Sequence, residues 1–220
     1  MEDGWWRGVR DRVLRLAGIP EAEGVFASFA HRFALEPQLA EREVEEAEEL
    51  FGVRLPEDYR AFLTRVGAGG AGPAYGVFAL HRTVDGWGWA AEDTHRTEVQ
   101  RLGEPFSPQH VDGSAIDVPG LRRPAQYDFE YLDDYQLAYD RWQEVLWHPD
   151  RTAGAICLSD EGCLCRDWLV VTGDERGMIW RDHRIDGFDL SPLFDANGRR
   201  LTFSRWYLAW LDAAEHQAKR

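Results

Sequence analysis

The sequence lacks long apolar runs and has few cysteines. No stretch of about eighteen uncharged apolar residues occurs in this 220-residue chain, so a membrane-spanning helix is excluded. Residues 1–20 are charged throughout, and we expect no secretory signal. Three cysteines, an odd number, do not make a disulfide framework. We therefore expect the protein in a reducing cytoplasm.

Positive charge is also scarce. The 25 lysines and arginines stand against 39 aspartates and glutamates, which gives a formal net charge of -14, and Lys219 is the only lysine. Nucleic acids and anionic membranes are bound by basic patches, so we expect neither as a partner. A basic protein is the kind of partner that this charge would attract.

Hydrophobic periodicity predicts helices that alternate with strand-rich segments. The predicted helices lie at 3–16, 25–33, 39–52, 56–66, 128–148 and 202–216. Their predicted inward-facing residues include Val25, Phe26, Phe29 and Phe33 in the second helix, and Tyr131, Tyr135, Ala138, Trp142 and Val145 in the fifth. Strands are predicted at 74–80 and in a meander over 153–182. This order predicts an α+β fold with an antiparallel sheet.

A glycine cluster, GAGGAGP, follows the helix that begins at Pro56. Phosphate-binding loops run from a strand into a helix, whose N-terminus supplies the N–H groups. Here the order is reversed, and no Lys-Ser or Lys-Thr pair follows. We predict a connection in which glycines allow a sharp turn and close backbone approach.

Cys157, Cys163 and Cys165 lie in the strand meander, and the last two would share one face of a strand. Zinc sites usually use C-x₂₋₄-C knuckles with a second ligand pair later in the chain. Only His183 follows nearby. We predict buried structural thiols and no metal site, while a cysteine–histidine nucleophile pair stays open because its members need not be close in sequence.

The other titratable residues form no catalytic set. The histidines stand apart without an H-E-x-x-H or H-x-H motif, and the abundance of acidic residues makes any carboxylate pair uninformative. Asp133 and Asp134 are explained by the first turn of a helix, where the dipole favours negative charge. We predict no catalytic, cofactor-binding or metal-binding residues.

Trp87 and Trp89 lie in the glycine-rich stretch DGWGWAAED, within a segment at 84–126 predicted to form long loops with short strands. Two interpretations stay open. The rings pack onto the body of the protein, or a flexible loop presents them, with Glu92 and Asp93, to a partner.

Three blocks of the chain share motifs with a known group of proteins. The matching residues are Glu48, Leu55-Pro56, Tyr59, Phe62, Leu63 and the glycine cluster in the first block, Gly162, Cys163, Trp168 to Gly173 and Gly177 to Trp180 in the second, and Pro192-Leu193 with Phe203 to Asp212 in the third. Over residues 35–213 the sequence resembles the SUKH superfamily. That group includes yeast Smi/Knr-type cell-wall-synthesis regulators and many bacterial immunity proteins.

The resemblance implies an antiparallel sheet flanked by N-terminal helices and a C-terminal helix. We predict a main domain at 35–214 that corresponds to the resemblance, preceded by a helical extension at 1–34 that packs on it and followed by a tail at 215–220. No catalytic residues are attributed to the group, and its motif residues look structural. Cys165 departs from the pattern, in a region where a small or polar residue is expected, and this keeps a thiol-based enzyme as a third hypothesis.

The leading functional hypothesis is a non-enzymatic bacterial immunity protein that binds a cognate toxin, such as a basic nuclease or deaminase. The alternative is a cytoplasmic adaptor of the cell-wall-regulator type. The predicted partner-binding residues are acidic or aromatic and lie outside the apolar stripes: Trp87, Trp89, Glu92, Asp93, Asp133 and Asp134. The sequence does not indicate an oligomeric state.

Overall fold

The computed structural model describes residues 4–84, 86–89, 97–116 and 122–219. The helices in these ranges are α1 (Val9–Leu16), α2 (Ser28–His31), α3 (Glu41–Phe51), α4 (Glu57–Arg65), α5 (Leu132–Leu146) and α6 (Phe203–Gln217). The strands are β1 (Leu80–Thr83), β2 (Gly86–Trp89), β3 (His110–Val111), β4 (Ser114–Ala115), β5 (Ala155–Gly162), β6 (Cys165–Val170), β7 (Ile179–Asp182) and β8 (Leu190–Pro192). None of these helices is long and apolar enough to span a bilayer.

The main sheet is antiparallel and has the order β5-β6-β7-β8. Trp168 of β6 lies opposite Cys157 of β5 and Trp180 of β7. Every residue of β6 is buried, as its successive apolar residues predict, because both faces of the sheet are covered. Strands β1 and β2 form a separate antiparallel pair, as do β3 and β4. The predicted α+β class is confirmed.

The larger hydrophobic core lies between one face of the sheet and the helices. Leu158, Leu169 and Ile179 of the sheet share this core with residues of α1, α3, α4 and α6. A smaller cluster, which includes Phe106 and Trp168, covers the opposite face. The alternation of side chains along each strand divides the residues between the two clusters.

Helices α3 and α4 form as predicted. Val44, Ala47 and Phe51 are the buried residues of α3, and Tyr59, Phe62 and Leu63 are those of α4. The Glu48 carboxylate joins the two helices, because it accepts hydrogen bonds from the Leu55 N–H (2.9 Å) and from the Arg60 guanidinium (3.0 Å). The motif residues that carry the family resemblance here are therefore structural.

The N-terminal segment packs into the same core. Trp6, Val9, Val13 and Leu16 are buried, and Trp6 contacts the rings of Phe62, Phe203 and Tyr207. The predicted helix at 25–33 is wrong, since α2 has four residues and Ala27 and Phe33 have positive φ angles. As a result Phe26 is 66% exposed and Phe29 is 71% exposed, although both were predicted to face inward.

The glycine cluster is a connection with very close backbone approach. A Cβ atom on Gly69 would lie 2.5 Å from the Ala79 Cα atom, and one on Gly70 (φ +103°) would lie 2.6 Å from the Ala34 oxygen. The predicted strand at 74–80 is wrong, because Val77 forms only an isolated bridge with Gly70 and β1 begins at Leu80. The Tyr75 and Phe78 N–H groups instead donate to β5 carbonyls.

Helix α6 begins at a capped N-terminus, because the Thr202 hydroxyl accepts from the Arg205 N–H. The Asp58 carboxylate of α4 accepts from the Ser204 N–H at 2.9 Å and so ties α4 to α6. On the side of α6 that faces the sheet, the Trp206 indole N–H donates to the Asp167 carboxylate of β6 at 2.8 Å. These contacts fix α6 against both its neighbouring helix and the sheet.

Candidate functional site

Helix α5 is anchored at one end and projects at the other. Its buried residues, Trp142 and Leu146, lie in the C-terminal half. The first two turns are largely exposed, so the prediction that Tyr131 faces inward is wrong. The helix begins after the extended residue Tyr131, and its N-terminal dipole stabilises acidic groups in the first turn.

Aromatic, aliphatic and acidic side chains meet at this projecting end. We call the set formed by Tyr127, Tyr131, Leu132, Asp133 and Asp134 the α5 surface. Each of its members is exposed, and Tyr127 is 82% exposed. Tyrosine-rich apolar patches with polar neighbours are typical of protein-binding surfaces, in which a few aromatic residues supply most of the binding energy.

The acidic groups of the α5 surface differ from the acidic row of α3. In α3 the glutamates are matched by arginines: Arg60 pairs with Glu48 at 3.0 Å and with Glu41 at 3.4 Å, and Arg82 pairs with Glu46. Among the residues that the structure describes, none forms an ion pair with Asp133 or Asp134. More of the α5 charge is therefore available to an external partner.

The structure places the two predicted contact tryptophans in a strand rather than in a flexible loop. Trp87 in β2 is buried, and the Arg82 guanidinium lies 4.6 Å from the centre of its ring. Trp89 is partly buried: it stacks on Phe51 of α3 and donates a 2.7 Å hydrogen bond to the Tyr59 hydroxyl. The two rings pack onto the body of the protein, which was one of the two interpretations left open.

The remaining predicted contact residues divide into two pairs. Asp133 and Asp134 lie together in the first turn of α5. Glu92 and Asp93 lie outside the described residues. The structure therefore does not bring the six predicted residues into one surface.

The sequence pattern did not predict a second group of exposed aromatic residues. Phe26 and Phe29 both meet Tyr75 edge to face, with ring centres 6.1 and 5.9 Å apart. The spacing of the phenylalanines matches a buried helical stripe, so periodicity alone assigned them to the core. The available signal was the length of the pattern, because an apolar stripe of about two turns without capping residues is weak evidence for a helix.

The three cysteines have different environments. Cys157 and Cys165 are buried, as predicted, whereas Cys163 is exposed at the β5–β6 turn, where its φ angle is +50°. Burial, followed by the nearby Asp186 carboxylate, raises the pKa of the Cys165 thiol to about 11. The structure also brings His183 next to Cys165, at 3.5 Å from Nδ1 to Sγ.

The cysteine–histidine pair does not have the geometry of a nucleophile with an oriented base. In such a triad the base contacts the nucleophile through one ring nitrogen and its orienting group through the other. Here the Asp186 carboxylate lies 3.9 Å from Nδ1 of His183, the same nitrogen that faces the sulfur. The raised thiol pKa also disfavours the thiolate that would attack a substrate.

Comparison with known proteins gives one family. The model of the SMI1 / KNR4 family (SUKH-1) matches residues 38–195, which is more than half of the chain. The match includes the first two motif blocks, helix α5 and the whole main sheet, and it ends before α6. Comparisons with curated proteins and with solved structures give no match.

Proposed function

Since this chain belongs to the SMI1/KNR4 family (SUKH-1), we propose that it is a non-enzymatic immunity protein that binds and neutralises a cognate bacterial toxin. The α5 surface is the proposed contact region. Asp133 and Asp134 are kept from the predicted contact residues, and Tyr127, Tyr131 and Leu132 are added to them. Trp87 and Trp89 are left out because they pack onto the body of the protein, while Glu92 and Asp93 remain a prediction.

The observation that carries this proposal is the composition of the α5 surface. Exposed Tyr131 and Leu132 cost free energy in water that a partner would recover by burying them. The adjacent Asp133 and Asp134 lack ion pairs within the described structure. An apolar anchor beside negative charge that no ion pair neutralises within the described structure suits a partner that presents an apolar patch within a basic surface.

The charge of the whole chain supports the same class of partner. A net charge of -14 attracts basic proteins over a distance set by the ionic strength. Toxins that act on nucleic acids bind their substrates in basic clefts. An acidic protein can occupy such a cleft and exclude the substrate, which is a mode of inhibition that needs no catalysis.

The test measures the rate at which this protein associates with the product of the gene next to its own. The D133N/D134N variant removes two charges from the α5 surface, and the E45Q/E49Q variant removes two charges from exposed positions of α3 as a matched control. We expect D133N/D134N to slow association by roughly a factor of three to ten at low salt, with a smaller effect for the control. Raising the salt from about 50 to 500 mM should close this gap.

Two results would contradict parts of this proposal. Equal slowing by the two variants would assign the effect to overall charge and remove α5 as the contact. An association rate that does not respond to salt would remove the electrostatic part. A partner that is a constitutive cellular protein, with no toxin involved, would instead favour the cytoplasmic adaptor of the cell-wall-regulator type.

A further inference from the structure

Three side chains with different ligand atoms converge at one end of the main sheet. Sγ of Cys165 lies 3.5 Å from Nδ1 of His183 and 3.6 Å from Oδ2 of Asp186. The same Nδ1 atom lies 3.9 Å from the same Oδ2 atom. The three atoms therefore form a nearly equilateral triangle, in which each ligand atom faces the other two.

These separations match the edges of a tetrahedral zinc site. Zinc lies about 2.3 Å from sulfur, about 2.0–2.1 Å from imidazole nitrogen and about 2.0–2.2 Å from carboxylate oxygen. Tetrahedral angles then give ligand-to-ligand distances of about 3.3–3.6 Å. The two distances from sulfur already have these values, and the third needs only a small movement of an exposed aspartate. We propose that Cys165, His183 and Asp186 bind one Zn²⁺ ion.

The backbone around the triangle is held in place by buried contacts. Arg166 of β6 lies opposite Asp182 of β7, so one further step along the ladder brings Cys165 next to His183. The Arg184 guanidinium binds the Asp182 carboxylate at 2.7 and 2.9 Å, and both side chains are buried. This ion pair fixes the short helical turn that returns Asp186 to His183, and such support preorganises ligands.

The ligand set and its exposure favour zinc over harder cations. One cysteine, which releases its proton when the metal binds, together with one imidazole suits zinc, whereas magnesium and calcium prefer oxygen ligands. Cys165 is buried, but the side chains of His183 and Asp186 are 39% and 52% exposed, so an ion can enter from solvent. Three protein ligands leave a fourth tetrahedral position for water or for an external group.

A second group of residues provides an internal comparison. Asp112, His148 and Asp150 also lie close together. There the ion-pair contacts of the two carboxylates are with different ring nitrogens, Asp112 with Nε2 (3.9 Å) and Asp150 with Nδ1 (3.6 Å). Asp150 is also bound by the Arg101 guanidinium at 2.7 Å. This group is occupied by its own contacts and is not proposed as a metal site.

The test uses the full chain, purified under reducing conditions and titrated with Co²⁺ and then with Zn²⁺. We expect one equivalent of Co²⁺ to give a thiolate-to-cobalt charge-transfer absorption, which Zn²⁺ removes by displacement. C165S should abolish this absorption, and H183Q and D186N should each weaken Co²⁺ and Zn²⁺ binding by about tenfold or more. C163S on the same hairpin and H148Q in the comparison group are the matched controls and should bind normally.

The outcomes separate the site from its alternatives. Absence of the charge-transfer absorption in the natural sequence, or its survival in C165S, would overturn the proposal. Loss of the absorption in C163S would show that Cys163 supplies the thiolate, and this result would also overturn the proposal. Circular dichroism of each variant checks folding, and if C165S does not fold, H183Q and D186N decide because they change exposed side chains. The result does not depend on the α5 surface.

Discussion

His31 is a buried histidine, and one hydrogen bond fixes the tautomer of its neutral ring. Its Nδ1 atom accepts a 3.0 Å hydrogen bond from the Phe33 N–H, so the proton of the neutral ring lies on Nε2. The ring also meets Phe33 and Trp210 edge to face. Burial lowers the pKa of His31 to about 4, from an ordinary value near 6.5. His31 is therefore a structural group, and acid should weaken its contribution to the stability of the fold.

The pH dependence follows from the direction of that shift. Between pH 6.5 and about 4 the unfolded chain gains a proton at His31 that the folded chain does not, so the unfolding free energy falls as the pH falls. The loss is at most about 1.4 kcal/mol per pH unit. We predict that H31Q lacks this component, as measured by urea unfolding at pH 7.5 and pH 4.5.

The control for this prediction is H81Q, which removes an exposed histidine. It should keep the acid sensitivity of the natural sequence. If H31Q loses as much stability between the two pH values as H81Q does, His31 is not the group responsible.

The glycine connection between α4 and β1 depends on the absence of side chains. A Cβ atom on Gly69 would meet backbone atoms, the Ala79 Cα at 2.5 Å and the Val77 oxygen at 2.8 Å, and backbone cannot rotate away. We predict that G69A destabilises the fold by about 1–3 kcal/mol or more, because overpacking shifts the backbone. Denaturant unfolding measures this loss.

Gly103 offers a matched control for the same substitution. A Cβ atom on Gly103 would meet nothing within 4 Å. We expect G103A to change the unfolding free energy by less than about 0.5 kcal/mol. Equal effects of G69A and G103A would show that the close approach of backbone to Gly69 is not the reason that this position requires glycine.

The elements that the sequence predicted well are those with both a long apolar stripe and marked ends. In α3, α4 and α6 the buried residues follow the helical period, and Pro56 and Thr202 mark where two of the helices begin. The segment at 25–33 lacks such ends, and Ala27 and Phe33 have positive φ angles that no periodicity reveals. Short apolar segments take their conformation from tertiary contacts.

The Cys165 group was not predictable from sequence for a different reason. Its members are separated by eighteen and then three positions along the chain, which is not the C-x₂₋₄-C spacing of a zinc knuckle. They meet because β6 pairs with β7 in one particular register. The exposure of the first half of α5 was likewise not predictable, since a helical stripe does not reveal which of its turns has a neighbour to pack against.

The family match and the hydrophobic core of the whole chain have different extents. The match begins at residue 38, yet Trp6 contacts Phe62, Phe203 and Tyr207 in the centre of the larger core. The Arg12 guanidinium also binds Glu215 and Asp212 of α6 at 2.8 and 2.6 Å. The first helix therefore contributes to the same packed unit as the matched region.

This shared packing predicts a strong difference between neighbouring tryptophans. W6A should lower the unfolding free energy by about 3–5 kcal/mol, the range for removal of a buried aromatic side chain. W5A should have a much smaller effect, because Trp5 is 43% exposed. Thermal unfolding followed by calorimetry measures both, and a small loss in W6A would mean that the N-terminal segment is a separable appendage.

The segment that replaces the predicted strand at 74–80 has a consequence for self-association. Its Tyr75 and Phe78 N–H groups occupy carbonyls along β5 at one margin of the main sheet. At the other margin β8 has three residues and ends in Pro192, which has no N–H to donate. Exposed strand edges act as templates for amyloid-like growth, and proteins suppress that growth by covering or shortening them. On the described sheet, one margin is covered and the other is short, so neither offers a long open edge to the unfolded chains of a crowded cell.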